Sequence, residues 1–311
     1  MEFRQLHYVV QIAAEKNFSR AADKLHIAQP SLSQQLSKLE KEIGVLLFRR
    51  TTNNVELTHA GAVFVDKAQG ILDAVEQLRQ EMDDLAHMRK GRLVVGSLPI
   101  TGSHVLPVVL PVFQQRYPEI EIVLVEDSSS RLEQLTASGQ TDLSLLSLPL
   151  DEPSLEWTPL IEEEICLAVP PQHRLAAGAA PDEGSGAGVR IADLAAEPFI
   201  VLKKGQGFRQ IATDLCAQGG FVPRIVFESA NIETVQSLVA AGMGIAFVPK
   251  MVARGMRSEF APVYLPLAEP RPSRTLVIAS RRGRYLSKAA DAFIRTMKEA
   301  VERQYGGAAV Q

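Results

Sequence analysis

The chain has 311 residues, 46% of them hydrophobic, 6% aromatic and 22% charged, with a formal net charge of −3. That length implies two or three domains. The apolar content is ample for packed cores and speaks against a disordered or fibrous protein. Cys166 and Cys216 alone make no disulfide framework. There is no apolar run of about 18 residues for a transmembrane span, and the opening MEFRQLHYVV lacks the order of a signal peptide. A soluble, cytoplasmic protein with no membrane partner is expected. The slightly acidic balance argues against a general polyanion binder while leaving room for a small local binding face.

In chain order, Phe3, Leu6, Val9, Val10, Ala13 and Ala14 recur at helical spacing. Asn17 breaks the run, and Ser19 is expected to cap a second helix with a buried stripe of Ala21, Ala22 and Leu25. Pro30 suits the first position of a third helix. Its inner face is Leu32, Leu36, Leu39 and Ile43, its outer face Ser31, Ser33, Gln34, Ser37 and Lys38, and Gly44 ends it. FRRTTNNVELT follows, with Asn53-Asn54 as a hairpin turn. Helix, helix–turn–helix and hairpin over residues 1–58 read as a winged helix-turn-helix.

Residues 1–61 resemble the DNA-binding domain of the LysR-type transcriptional regulators, through FSRAADKLHIAQPSLSQQLSKLEKEIGVLLFRR and LTHAG in that order and spacing. The resemblance implies double-stranded DNA as partner. It directs Gln29, Pro30, Ser31, Ser33, Gln34 and Ser37 toward bases or nearby backbone. Gln and Ser both donate and accept, which suits base edges in the major groove without the pull of charge toward phosphates. Pro30 offers an apolar edge to a thymine methyl. Gln29 is a poor N-cap, which would leave the N–H groups of Ser31 and Leu32 for a phosphate. Arg4, Ser19, Arg20, Lys38, Arg49, Arg50 and Thr51 complete the DNA-facing set, with the cations at its rim, because phosphate contacts position a protein and base contacts specify its site. The competing reading of each serine is an ordinary solvated helix residue.

Residues 59–90 read as one long helix. Phe64, Ala68, Ile71, Val75, Leu78, Met82 and Leu85 alternate in steps of four and three, an a/d seam over three heptads. The seam favours an intermolecular helix pair over packing on the helix's own domain, and the family's linker helix dimerises in this way. A dimer places two recognition helices on one duplex and calls for a dyad-symmetric site.

From Arg92 onward, short apolar strands alternate with amphipathic helices, which implies an α/β domain with a mostly parallel sheet. One unit runs LVVG, a helix from about Ser103, IEIVLVE, a helix from about Arg131, and DLSLLS. A second runs FIVL, KKGQG, a helix from about Phe208, RIVFE, a helix from about Ile232, and GIAFVP. EDSSSRLEQLTASGQTDLSLL lies over ESANIETVQSLVAAGMGIAF as an internal duplication. The strand and helix of RTLVIASRRGRYLSKAADAFIRTMKEAV return to the first unit. The fold class is therefore α/β, with an α-rich N-terminal winged helix-turn-helix and an effector domain over residues 91–302. That domain resembles the two-lobed periplasmic-binding-protein fold, lobe I being about 91–162 with 267–302 and lobe II about 163–266. AAGAAPDEGSGAGVR is a Gly/Ala loop.

Ligands of open α/β sheets sit beyond the C-terminal strand ends. The small polar groups expected there are Ile100, Thr101, Gly102 and Ser103; Ser128 and Ser129; Lys203 and Gly205; and Ser229. Helix N-termini favour anions, so a small organic anion is the expected effector. The resemblance puts Thr101, Ser129, Lys203 and Gly205 at effector-contacting positions. The six histidines lack metal-ligand spacing, no cofactor motif occurs, and Cys166 and Cys216 read as buried, inert thiols. Glu162-Glu163-Glu164 reads as a solvated lead-in to a strand. The leading function is an effector-controlled transcriptional regulator and not an enzyme, working by population shift. The resemblance implies assembly from homodimer to homotetramer and allows RNA polymerase as a further partner. The alternatives are a ligand-independent architectural DNA-binding protein and an enzyme built on the two-lobed domain.

Overall fold

The computed structural model describes residues 1–50, 55–86, 91–178, 188–253 and 261–305. Thr51, the Asn53-Asn54 turn, most of the Gly/Ala loop and the side chains of Arg50 and Leu85 lie outside the described residues. Two compact units emerge, Met1–His87 with Ser138–Gln140, and Met88–Ala137 with Thr141–Gln311.

In the first unit, α1 (Phe3–Glu15) starts with a capping box in which the Glu2 N–H donates to Gln5 Oε1 at 2.8 Å. Its buried stripe is Leu6, Val9 and Ile12, while Phe3 and Ala14 stand exposed. Ile12, three residues beyond Val9, takes the inward place expected of Ala14. In α2 (Phe18–Lys24) the cap is Asn17 and not Ser19: Asn17 Oδ1 accepts from the N–H groups of Ser19 at 2.9 Å and Arg20 at 3.1 Å. The next helix, α3 (Gln29–Ile43), ends where Gly44 adopts φ +75. Leu32, Leu36 and Leu39 join Val9, Ile12, Phe18, Ala21 and Ala22 in one core.

The antiparallel pair β1 (Phe48–Arg50) and β2 (Val55–Leu57) sets Arg49 opposite Glu56. LTHAG then has a physical explanation. Thr58 Oγ1 donates to Leu46 O at 2.7 Å and accepts from Gly61 N–H at 2.9 Å. A Cβ on Gly61 would fall 2.0 Å from Leu47 O, so only glycine allows this approach. Beyond it runs α4 (His59–Ala86). Two seam residues, Phe64 and Ala68, pack against Leu6 and Val10 of α1 in their own unit, because α1 already covers that stretch of the helix.

The second unit comprises β3 (Gly91–Ser97), α5 (Pro99–Arg116), β4 (Ile120–Glu126), α6 (Ser129–Ala137), β5 (Leu143–Ser147), β6 (Leu155–Val169), β7 (Pro198–Leu202), α7 (Gly207–Gln218), β8 (Arg224–Ser229), α8 (Ile232–Ala240), β9 (Ala246–Pro249), α9 (Lys250–Ala253), β10 (Val263–Pro266), β11 (Ser273–Arg281) and α10 (Lys288–Tyr305). The main sheet has the order β10-β6-β11-β5-β3-β4, with β9 also against β6. Its key element is the long β6. Leu155–Glu164 pair with β11, whereas Ile165–Ala168 pair with β9 and Cys166–Val169 with β10. Two lobes thus share one strand. The parallel pair β7–β8 joins the second lobe through the Phe199–Ile245 bridge.

The sequence reading missed the span of β6, because four glutamates interrupt its apolar pattern. Glu163, expected to be solvated, is buried within it. Inside the first lobe, α5 and α10 pack through Phe113 and Phe293, edge-to-face at 5.0 Å.

Candidate functional site

On α3, Gln29, Pro30, Ser31, Gln34 and Lys38 are exposed, and Ser33 and Ser37 are half-buried. The helix starts one residue earlier than Pro30, with Ala28 as cap, so Leu32 N–H is already donated to Ala28 O at 3.1 Å. The expected pair of open donors reduces to Ser31 N–H, which has no intramolecular acceptor among the described residues.

The basic rim is held by glutamates. Arg4 and Lys38 approach the two carboxylate oxygens of Glu2 at 3.3 Å and 3.7 Å. Arg20 donates to Glu15 O at 2.6 Å, and Lys24 meets Glu15 Oε1 at 2.6 Å. The hydrogen bond from Lys24, helped by the charges of Lys24 and Arg20, holds the Glu15 carboxyl below its usual range against the opposing effect of desolvation. Ser19 is exposed on α2, and Arg49 is exposed on β1. Farther along α4, Ile71, Val75, Leu78 and Met82 form an apolar row between 45% and 57% exposed.

In the second unit, β3, β4, β7 and β8 end at Ser97, Glu126, Leu202 and Ser229, and α5, α6, α7 and α8 begin just beyond them. Ile100, Thr101, Gly102 and Ser103 lie inside α5, not in a loop, because the helix opens at Pro99. Ile100 belongs to the core, and Ser103 is exposed with its hydroxyl turned back onto Pro99 O at 2.7 Å. Thr101 is fully buried, and its Oγ1 has no hydrogen-bond partner among the described residues. That is an unusual condition for a buried hydroxyl. A Cβ on Gly102 would lie 3.2 Å from both Glu126 Oε1 and Ser97 Oγ, so the first turn of α5 is tightly framed.

The two lobes touch at their helix starts. Gly207 N–H, at the start of α7, donates to Ser129 Oγ, at the start of α6, at 2.8 Å. Ser128 caps α6 by accepting Leu132 N–H. Lys203 N–H donates to Ser229 O at 2.9 Å, which leaves the Lys203 side chain exposed, and Gly205 has φ +85. Ser229 Oγ is taken up by Asn231 N–H at 3.1 Å. Near these lysines, Glu228 is bound by Arg209 at 2.7 Å, and its carboxyl is held low first by that hydrogen bond and further by Lys204 and Lys203. The geometry thus brings Ser129 and Gly207 into one interlobe contact and engages Ser103 and Ser229 locally.

One group went unnoticed in the sequence. Arg274 on β11 is buried and opposite Glu163 in register. Its Nε and Nη2 donate to Glu163 Oε2 at 2.8 Å and 2.7 Å. Glu163 Oε1 accepts Met251 N–H at 2.7 Å. The guanidinium carbon stands 5.4 Å from the centre of the Phe208 ring in α7, and Nη1 reaches Ser147 Oγ at 3.4 Å. Only the register of two separate strands reveals this pair, so no local motif announces it.

His104, half-buried on α5, is kept below its usual imidazole range chiefly by burial; Glu163, Arg274 and Glu233 also act on it. Burial pushes the Cys166 thiol up to about 12 and the Cys216 thiol up to about 11. Among the described residues no group of three or more His, Cys, Asp or Glu is arranged to hold a metal. No described helix is long and apolar enough to cross a membrane.

Residues 3–62 match the family described as bacterial regulatory helix-turn-helix protein, lysR family, and residues 86–302 match the LysR substrate binding domain. The HTH-type transcriptional regulator YcgK of Bacillus subtilis (strain 168), itself uncharacterised, is 39% identical over 315 residues, 98% of this chain and 96% of its own. The DNA-binding transcriptional dual regulator OxyR of Escherichia coli (strain K12) is 34% identical over 283 residues, 91% of this chain and 90% of its own. A solved full-length OxyR variant from Pseudomonas aeruginosa covers 100% of this chain and 98% of its own, with a TM-score of 0.75 at 26% identity. Both domain types match in order and the likeness spans almost the whole length, so the chain belongs to the LysR family of DNA-binding transcriptional regulators.

Proposed function

We propose that this regulator responds to a small organic anion held between its two lobes, beside the starts of α5, α6 and α7. The carrying observation is the fully buried Thr101 hydroxyl, which lacks a partner among the described residues of a domain whose lobes are already joined by the Ser129–Gly207 hydrogen bond. A ligand acceptor or donor there would satisfy it. Ligand in the cleft shifts the balance between lobe arrangements, and that shift reaches the DNA-binding unit.

In this reading residues 1–58 bind DNA, 59–90 dimerise and 91–302 sense the effector. Gln29, Pro30, Ser31, Ser33, Gln34 and Ser37 face bases, while Arg4, Arg20, Lys38, Arg49 and Arg50 face phosphates. The exposed row Ile71, Val75, Leu78 and Met82 fits a second copy of α4 and supports a cytoplasmic homodimer on a dyad-symmetric site, with tetramers and RNA polymerase contact as further steps. The protein carries out no reaction of its own, and a turnover assay on bound metabolites checks that.

Some relatives are named hydrogen peroxide-inducible genes activators. The two thiols of this chain are buried and hard to ionise, which speaks for a reversibly bound ligand instead of thiol oxidation. Calorimetry with a panel of metabolite anions, together with footprinting with and without them, tests the proposal. Binding of neutral or cationic ligands with no carboxylate bound would reject the anion assignment. An unchanged footprint would favour an architectural role.

A further inference from the structure

We infer that Arg274 supplies the positive charge that selects a carboxylate in the cleft; this rests on the anion reading above and names the group that enforces it. The argument begins with a count of donors. A guanidinium has five N–H groups in a fixed fork. Two donate to Glu163 Oε2, one approaches Met251 Sδ at 3.8 Å, and Nη1 has a single long contact of 3.4 Å to Ser147 Oγ. One Nη1 hydrogen therefore has no acceptor among the described residues, although the side chain is only 1% exposed. Both oxygens of Glu163 are engaged, since the second accepts Met251 N–H at 2.7 Å. The unmet demand lies on the cation.

The Nη1 edge also lies where a ligand would arrive. Ser147 is the last residue of β5, at the C-terminal strand ends that border the cleft. Phe208 is the second residue of α7, next to the Gly207 that touches Ser129 across the lobes. Overhead, α5 packs on both β5 and α9, and Thr101 and His104, three residues apart, share one face of it. Met251, which contacts both members of the Arg274–Glu163 pair, belongs to that α9. A carboxylate entering here replaces the long Ser147 contact by a planar, charge-assisted one and meets the open Thr101 hydroxyl nearby. A cavity of about 150 Å³ also borders Glu163, but Glu162, Glu163 and Glu164 in its wall outnumber Lys250 and disfavour an anion.

The test uses the full-length protein and calorimetry with acetate, succinate and benzoate, each against its amide. Arg274→Lys keeps a charge for Glu163 and removes the fork. The double variant Arg274→Gln with Glu163→Gln removes both charges and leaves no buried ion alone. Circular dichroism and operator binding report folding. For the carboxylates that the wild type binds, affinity is expected to fall about 10- to 100-fold in either folded variant, with amide binding unchanged. A purely structural role would weaken acid and amide together, and that result overturns the inference. Carboxylate affinity within threefold of wild type in a folded variant also overturns it while leaving the cleft reading intact. A wild type that binds none of the three acids removes both.

Discussion

The hydrogen bond from Gly207 N–H to Ser129 Oγ ties the two lobes, and Gly207→Ala is designed to loosen it. A Cβ at residue 207 would stand 2.9 Å from Ser129 Oγ and 3.6 Å from its Cβ. The first distance is too short for a carbon–oxygen contact, so Ser129 must withdraw and the 2.8 Å hydrogen bond must lengthen or break. Its net worth is about 0.5–1.5 kcal/mol, which moves the closed-to-open ratio by roughly 2- to 12-fold. Helix propensity acts in the other direction on overall stability, since alanine in place of glycine adds up to about 1 kcal/mol to α7. Global melting is therefore expected to change little while lobe closure weakens. Electron–electron resonance between spin labels at Arg131→Cys and Val222→Cys reads the closure, and calorimetry reads the consequence. Apparent effector affinity should fall in proportion to the lost closed fraction. Ser129→Ala, which removes the acceptor without crowding, should act in the same direction. An unchanged label distance and unchanged affinity in both variants would refute the coupling.

Gln34→Ala is expected to change preference at one base pair by about 1–3 kcal/mol, whereas Arg49→Ala should weaken binding to every sequence and lower the salt slope by about one; equal behaviour across operator variants would refute the division. Leu78→Glu puts a charge into the exposed row of α4 and should weaken the dimer by roughly 3 kcal/mol, about 100-fold, which sedimentation measures. At pH 7.4, thiols raised to about 12 and about 11 are ionised at roughly one part in 40,000 and one part in 4,000. Peroxide should therefore leave operator binding unchanged, and thiol reagents should label Cys166 and Cys216 only after unfolding.

The DNA-binding unit was the most legible part of the sequence, because its signals are local. Leu32, Leu36 and Leu39 fix the inner face of α3 by spacing alone, and that leaves the Gln/Ser face outside. The errors there were of capping: Asn17 and Ser19 are both plausible caps in sequence, and only the backbone shows which oxygen receives the N–H groups. The seam of α4 was read as uniform, yet α1 covers Phe64 and Ala68, since periodicity does not say which neighbour fills a stripe. Short buried strands such as Pro198–Leu202 announced themselves as apolar runs. By contrast β6, with glutamates at four of its fifteen positions, did not. Its buried Glu163 is tolerated because Arg274 stands opposite in register. That partner is 111 residues away along the chain, and no local pattern encodes such a pairing.

The distribution of charge on the first unit explains how an acidic chain can bind DNA. Residues 1–58 hold eight Lys and Arg against six Asp and Glu, so the negative balance lies in the rest of the chain. Within the unit, Glu2 holds Arg4 and Lys38, and Glu15 holds Arg20 and Lys24. The cations are exposed, so each pair is worth about 1 kcal/mol or less, and phosphates can displace the glutamates at little cost. The same glutamates still reduce the net pull of random duplex, because a phosphate gains only what exceeds the existing contact. Weak non-specific attraction would raise the share of binding that depends on the neutral Gln and Ser face proposed to read bases. Glu15→Gln tests this directly. It should strengthen binding to random and operator DNA alike, steepen the salt dependence and lower the ratio between operator and random affinity. Were the ratio to rise instead, Glu15 would have to act on the geometry of α2 and not on its charge.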